Sequence, residues 1–463
     1  MFPLKSNILL EENHIETRSS NFFTEINLSS LLRQSNIRKL KGQKCSVLFQ
    51  VIFLLIFTGK NLYQLLESKS NTLPFGKDVI YRFLRSTSYN WRKFLLLLSS
   101  SIIIKKLTPL TSEERDNVLI VDDTVYDRNR SKSVELLAKV FDHAHKKYVK
   151  GFRLLTLGWS DGISFIPVAF SLLSSRIKEN RLCSMNDSID KRTNGYKRRK
   201  ESIKKATEVM FNLLDGAAKH SIPAKYVLFD SWFSFPAVIR KIAIKYKLHV
   251  VCRLKALPNI VYNYQGKKLN LKHLYQKIKK RRGKGNIAAS VVVKLPPDKN
   301  GETITARIVF IRDKEDKDKW VALLTTDLTL SEEEIIQIYG KRWDIEVFFK
   351  MNKSYLNLAK EFQGRSYDMM FAHTTIVFTR YIMLALEVRN TRDDKTFGGM
   401  FFELCDELEV IKFTEALFLI ISVLKQALSD YLLLNEEKIN GFLDYFMKHL
   451  PRPFKECLRF SCC

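Results

Sequence analysis

Apolar positions along this chain follow two periods. In residues 1–112 they recur at helical spacing. "LSSLLRQSNIRKL", "SVLFQVIFLLIF", "GKNLYQLLES" and "KDVIYRFLRSTSYNWRKFLLLLSSSIIIKKL" are separated by Gly, Ser, Asn and Pro. From residue 117 the texture changes. "NVLIVDDTVYD" is a continuous β-branched run that ends in acids, as a buried central strand does. "GFRLLTLGWSDG" and "SFIPVAFSLLSS" read as the second and third strands, joined at Asp161–Gly162. A helix over "SIKKATEVMFNLLDGAAKH" leads to the strand "AKYVLFDSWF". A helix over "FPAVIRKIAIKYK" leads to the strand "LHVVCRLK". Residues 256–327 hold the short strands "NIVYNY", "ASVVVKLP", "ITARIVFIRD" and "KWVALLTTD". From residue 354 onward the pattern is helical again.

Between these lies "IYGKRWDIEVFFKMNKSY", residues 338–355, which reads as one helix with Ser331 as its cap and Glu334 three residues on. At about 100° per residue, Tyr339, Arg342, Glu346 and Lys353 fall within roughly 60° of one another. Ile338, Ile345, Phe349 and Leu356 form an apolar stripe beside them, between about 240° and 280°. Such a helix can bury its stripe and present a line of charge along the stripe's edge. A solvated face with a few salt bridges is the plainer alternative.

At 463 residues and 46% hydrophobic content, the chain supports two or three packed domains. Its 77 Lys and Arg against 49 Asp and Glu give a net charge of +28, which points to a polyanionic partner, nucleic acid first. A membrane role is not expected. The run from Val47 is too short to span a bilayer and contains Gln50. The N-terminus carries acids where a signal peptide places its cleavage site, so a cytoplasmic location is expected. None of the seven Cys forms a C-x-x-C pair, which suits reduced thiols. The "HAH" at His143–His145 is a conceivable metal ligand pair, but no second cluster supports it. Residues 178–205 hold ten Lys or Arg against four acids, and "KIKKRRGKG" at 277–285 holds six cations. We read both tracts as phosphate contacts, with solvated loops as the alternative. Arg82, Arg85, Arg92 and Lys93, among Tyr and Trp, fit basic recognition helices in the N-terminal region, with a plain helical packing unit as the equal alternative, since no single helix-turn-helix signature is sharp.

Three acids stand out by position. Asp123 and Asp230 end the first and fourth strands, and Glu346 lies on the edge of the helix. Strand ends are where α/β sheets build sites. A cluster of carboxylates suits Mg²⁺, and two such ions can drive phosphodiester displacement. Asp122 competes with Asp123, because neighbouring strand residues face opposite ways.

The spacing Tyr339-x₂-Arg342-x₃-Glu346-x₆-Lys353 is identical to the Y-R-E-K signature of the "insertion sequence four" type group of DDE transposases from bacterial insertion sequences. "VDDT" and "LFDSWF" resemble that family's first and second acid blocks, and the acid directly before Thr assigns Asp123 over Asp122. "KWVALLTTDLTLSEEEIIQIYGKRW" resembles the segment leading into the third acid. The resemblance covers about residues 117–375. It implies an α/β fold with a ribonuclease-H-like catalytic core at 113–255 and 328–375 and a β-rich insertion at 256–327. The flanks would be a helical DNA-end-binding region at 1–112 and a helical, dimerising region at 376–463. It implies that Asp123, Asp230 and Glu346 hold two Mg²⁺ ions, with Mn²⁺ as a substitute. Tyr339, Arg342 and Lys353 would grip phosphates of double-stranded DNA, and Trp320 would stack a displaced base, although a Trp in a strand commonly serves packing. The expected activity is cut-and-paste transposition by a homodimer on the DNA. A ribonuclease-H-like nuclease or resolvase and a non-catalytic DNA-binding protein are the alternatives.

Overall fold

The computed structural model describes residues 18–68, 73–112, 115–143, 145–281, 285–313, 319–390, 396–430, 435–449 and 451. The N-terminal segment read for a signal peptide, the middle of the 277–285 tract and the last cysteines lie outside these residues. Cys45, Cys183 and Cys252 are free thiols.

Six helices open the chain: α1 (Arg18–Glu25), α2 (Leu28–Gln34), α3 (Cys45–Leu54), α4 (Leu62–Glu67), α5 (Lys77–Leu84) and α6 (Trp91–Ile102). The long stretch from Lys77 therefore forms two helices, and Asn90 caps the second by accepting from the Lys93 amide. Strands follow as β1 (Val118–Asp127), β2 (Ala138–Asp142), β3 (Lys147–Ser160) and β4 (Phe165–Leu173). Next come α7 (Asn194–Ser202), α8 (Ala206–Lys219), β5 (Tyr226–Phe229), α9 (Pro236–Tyr246), β6 (His249–Arg253), β7 (Val261–Tyr264), β8 (Lys267–Asn270) and α10 (Leu271–Lys277). Then come β9 (Ile287–Lys294), β10 (Thr305–Arg312), β11 (Trp320–Thr325), α11 (Glu332–Gly340), α12 (Trp343–Ser354), α13 (Tyr367–Asn390), α14 (Phe397–Asp430) and α15 (Glu436–His449).

All eleven described strands join one mixed sheet in the order β2-β3-β1-β5-β6-β11-β10-β9-β7-β8, with β4 also on β3. β1, β5 and β6 run parallel, and the remaining neighbours are antiparallel. β3 is long enough to serve β2 with its first part and β4 with its second, on the edge away from β1. The β3–β4 turn needs Gly162, whose φ is +88°, and Asp161 closes it by accepting from the amides of Ile163 and Ser164. The strand-rich 256–327 thus extends the same sheet outward from β6.

Buried side chains from the N-terminal helices, the sheet and the C-terminal helices form one continuous apolar cluster. α13 is long and apolar enough to cross a membrane, yet the hydrophobic stretch that passes this test lies wholly inside the protein, in contact with α3, α5, α6 and β4. The environment packed around it, not its composition, decides its place.

Two readings of basic residues are corrected. Arg92 is not a DNA reader: it is paired to Glu201 and donates to the Phe170 carbonyl at 2.9 Å, fastening α6 to β4 and α7. Within the 178–205 tract, Arg198 and Arg199 are buried rather than turned to phosphate. They pair with Asp368 at 2.9 and 2.7 Å, and Arg199 also with Glu135 at 2.6 Å. Burial works against the Glu201 carboxylate, but Arg92, Ser171 and Asn212 hold it below the usual range. The tract contains a helix, α7, whose cations alternate between core and solvent: Lys197 and Lys200 stay exposed.

Candidate active site

The helix expected over 338–355 is two helices. α11 ends at Gly340, and Lys341 and Arg342 make a tight turn with ψ of −19° and −25°, closer to 3₁₀ than to α geometry. The turn is anchored from below: Lys341 Nζ donates to the Asp116 carbonyl at 2.7 Å. The expected apolar stripe is nonetheless buried, with Ile338, Ile345, Phe349 and Leu356 all in the core. Phe348 joins them, packing on Phe165 of β4 at 4.9 Å.

β1 delivers Asp122 and Asp123, both half-buried. They have different partners. Asp122 Oδ2 accepts from Arg342 Nη1 at 3.1 Å, and Arg342 Nη2 bonds Glu346, so one guanidinium joins β1 to the third acid. Asp123 accepts from Arg153 of β3, through Nε at 3.2 Å and through Nη2. The Arg153 guanidinium also lies over the Trp232 ring, 5.0 Å from its centroid. Asp230 follows β5, the parallel neighbour of β1, and its Oδ1 accepts from the Trp232 amide at 2.9 Å. The second acid and Trp232 are therefore fixed together.

Asp122 and Asp230 respond to their neighbours' charge. Burial, then the charges of Asp123 and Asp230, push the Asp122 carboxyl up to about 7, against the pull of Arg342. Burial, with Asp123 adding to it, also raises Asp230. Excess negative charge at one corner of a sheet is what a bound cation relieves, and an all-carboxylate set suits a hard divalent ion. Among the described residues, however, no group of three or more His, Cys, Asp or Glu side chains is gathered closely enough to hold a metal as it stands. Arg153 and Arg342 supply the counter-charge.

The other expected residues spread around this corner. Tyr339 lies beneath the Arg342 guanidinium at 5.7 Å, and burial raises its hydroxyl to about 12. Lys353 donates to Thr124 Oγ1 at 2.6 Å, beside the acids but away from Arg342. Trp320, at the start of β11, packs at 5.0 Å from both Tyr275 and Phe310. It also lines an open cleft of about 650 Å³ with Ser231, Arg253, Lys255, Lys272 and Tyr275. Ser231 is the neighbour of Asp230, so the cleft opens beside the second acid. The "HAH" histidines have other contacts: His145 Nδ1 bonds Asp142 at 2.8 Å, and His143 packs against Phe141 and Trp232.

Arg153 and Trp232 are absent from the residues that the sequence singles out. Their signals are present in it: a lone cation inside the apolar strand "GFRLLTLGW", and a Trp two residues after a strand-end acid.

A family model described as DDE superfamily endonuclease matches residues 45–267, and one described as Transposase DDE domain matches residues 201–383. No curated protein matches the chain. The first match contains β1 with Asp123, both contain Asp230, and the second contains Glu346. These matches to DDE endonuclease and transposase domains, neither spanning half of the chain, support a transposase or endonuclease function, and the mixed α/β sheet is consistent with a DDE nuclease fold.

Proposed function

We propose that this is a cut-and-paste transposase of the "insertion sequence four" type, with a ribonuclease-H-like core, acting in the cytoplasm on the inverted repeats of its own element. One observation carries the reading: Arg342 ties Asp122 on β1 to Glu346 on α12, while Asp123 lies on β1 and Asp230 directly follows β5, its parallel neighbour. The Tyr-Arg-Glu-Lys spacing thus brings its Arg and Glu to the acids. Asp123, Asp230 and Glu346 would hold two Mg²⁺ ions, with Mn²⁺ as a substitute. Bound there, divalent ions activate the attacking oxygen and stabilise the leaving one. The chain's own cations do the rest. Arg342, on the Tyr339 ring, and Lys353 face the site and neutralise the phosphates that enter it. Trp320 and Tyr275, in the cleft beside Ser231, offer a face for a displaced base. Residues 1–112 would bind the element ends, 256–327 would be the insertion, and 376–463 would contribute to a homodimer on DNA.

The test is an assay on DNA carrying the flanking repeats with added Mg²⁺. Wild type should cleave and transfer the 3′ ends. Asp123→Asn, Asp230→Asn and Glu346→Gln should each abolish cleavage while retaining DNA binding. Asp122→Asn belongs beside them, because Asp122 shares Arg342 with Glu346. Cleavage without strand transfer would replace this reading with a hydrolytic endonuclease. Binding without cleavage would replace it with a non-catalytic DNA-binding protein.

A further inference from the structure

The turn end of the β2–β3 hairpin carries none of the acids of the site described above, yet it is built unlike a solvated turn. Phe141 and Tyr148 are cross-strand partners with ring centroids 5.1 Å apart. Phe141 touches His143 at 5.0 Å, and His143 touches Trp232 at 5.7 Å. Four aromatic rings thus lead, one contact at a time, from the hairpin to the residue that caps Asp230 and stacks on Arg153. Tyr148 is 71% exposed and Trp232 43%, so this apolar surface faces water rather than core. Two register positions back, Lys139 pairs with Lys150, which side-chain alternation puts on the same face as Phe141 and Tyr148, and Val140 with Val149 between them point the other way into the protein. Lys146 and Lys147 complete the exposed turn. Between residues 139 and 150 the only acid is Asp142, engaged by His145 at 2.8 Å.

We propose that this hairpin, with Trp232, is a binding platform for unpaired deoxynucleotides, holding single-stranded DNA where it leaves the acid cluster. The argument is chemical. Interleaved aromatics and lysines are the surface on which successive bases stack while phosphates meet ammonium groups. A duplex cannot use such rings, because its bases hide their faces in their own stack. The direction follows from Trp232: its amide is bonded to Asp230 and its ring lies against His143, so a strand on the platform ends at the second acid. The platform's place beside the chemistry rests on the proposed function; its affinity for unpaired DNA does not.

The test is fluorescence anisotropy of the full chain without added divalent ion, so that no strand is cut. The probes are a blunt duplex and the same duplex with a short oligothymidine tail on its 3′ or its 5′ end. Wild type should prefer at least one tailed probe. Tyr148→Ala should lower that preference by roughly 5- to 150-fold, the range set by taking one aromatic ring out of a base stack, and Tyr148→Phe should retain it. Photo-crosslinking of wild type to a tail carrying 5-iodouracil should mark Tyr148, Phe141, His143 or Trp232. Equal affinity for blunt and tailed probes, an unaltered preference in Tyr148→Ala, or crosslinks confined elsewhere would overturn the platform. If wild type cleaves element DNA but shows no tail preference, the platform alone falls. If it binds no DNA at all, the proposed function falls with it.

Discussion

Arg153 gives the sharpest prediction, because it competes with any cation for Asp123. Its guanidinium donates to both carboxylate oxygens and is steadied on the Trp232 ring. Both partners are mostly shielded, with side-chain exposures of 22% for Arg153 and 11% for Asp123. A hydrogen-bonded charged pair of this type contributes about 1.5–3 kcal/mol, and the residual exposure argues for the lower half. A divalent ion that takes Asp123 as a ligand must displace the guanidinium. Removing it in advance should tighten divalent binding by about ten- to fiftyfold, at 1.36 kcal/mol per factor of ten. The absence of a positive charge beside the acids acts in the same direction. We therefore expect Arg153→Ala to bind Mn²⁺ more tightly than wild type in isothermal titration calorimetry. Arg153→Lys should lie between, since an ammonium cannot make the forked pair. Asp123→Asn should weaken binding whatever stands at 153. Unchanged or weaker Mn²⁺ affinity in Arg153→Ala would refute the competition and take Asp123 out of the ligand set.

Four other outcomes are expected. Trp320→Ala should leave first-strand nicking largely intact and let nicked DNA accumulate; a parallel fall in nicking and in the second step would make Trp320 a packing residue of the Tyr275–Phe310 cluster. Replacing Lys279 and Lys280 by Gln should flatten the log–log dependence of DNA affinity on salt by about 0.9 for each phosphate no longer neutralised, and an unchanged slope would put the 277–285 tract off the DNA. Gly158→Ala should cost roughly 1–3 kcal/mol in urea unfolding, since its Cβ would meet the Phe165 ring at 2.0 Å; wild-type stability in that variant would show that the ring gives way freely. Glu361 is held down to about 2, against its burial, by Arg380 and His373. Its unfolded value is near 4.3, so on the order of 3 kcal/mol of stability is present above that pH and drains between about pH 4 and 2. Burial also lowers His373, which destabilises the fold further below about pH 6.5. Glu361→Gln should flatten the acid limb of stability against pH, and an unaltered limb would show that other carboxylates govern it.

The parts legible in the sequence are those where one force dominates. β1, β4, β5 and β6 are largely buried on both faces, so their apolar runs are unbroken, and the acids of β1 and β5 follow where the runs stop. β2 is not legible. It is five residues long, lies at a sheet edge, and shows only Lys139 and Asp142 flanking the pair Val140–Phe141, too little to separate from a loop. α7 is hidden for a different reason. "YKRRKES" has almost no apolar content, because its inward face is charged: Arg198 and Arg199 are ion-paired with Asp368 and Glu135, far away in sequence. Composition sees the cations of a buried ion network and of a phosphate-binding loop alike. Only the distant carboxylates distinguish them. Arg153 escapes by the same logic, since its partner Asp123 lies thirty positions earlier, across a strand pair.

The Tyr-Arg-Glu-Lys spacing predicts one face of an unbroken helix, and the break at Lys341 shows what the spacing serves. Three cations in this segment each fasten to β1 or the residue leading into it: Lys341 to Asp116, Arg342 to Asp122 and Lys353 to Thr124. They engage the strand in the order in which they occur along the helices, so α12 lies along β1 in a fixed register. Ser160 of β3 adds a fourth tie, to Asp344 at 2.6 Å. Glu346 sits between the Arg342 and Lys353 ties, and its position relative to Asp123 and Asp230 is set by them, Arg342 holding both Asp122 and Glu346 itself. A cation here has two tasks that a single substitution to Ala cannot separate. Arg342→Ala removes a phosphate partner, and it also frees the helix that carries the third acid. Arg342→Lys keeps the charge but cannot bridge Asp122 and Glu346 with one planar fork. If placement is the larger task, Lys should be as damaging to cleavage as Ala while restoring most of the DNA affinity. If charge is the larger task, Lys should restore both together.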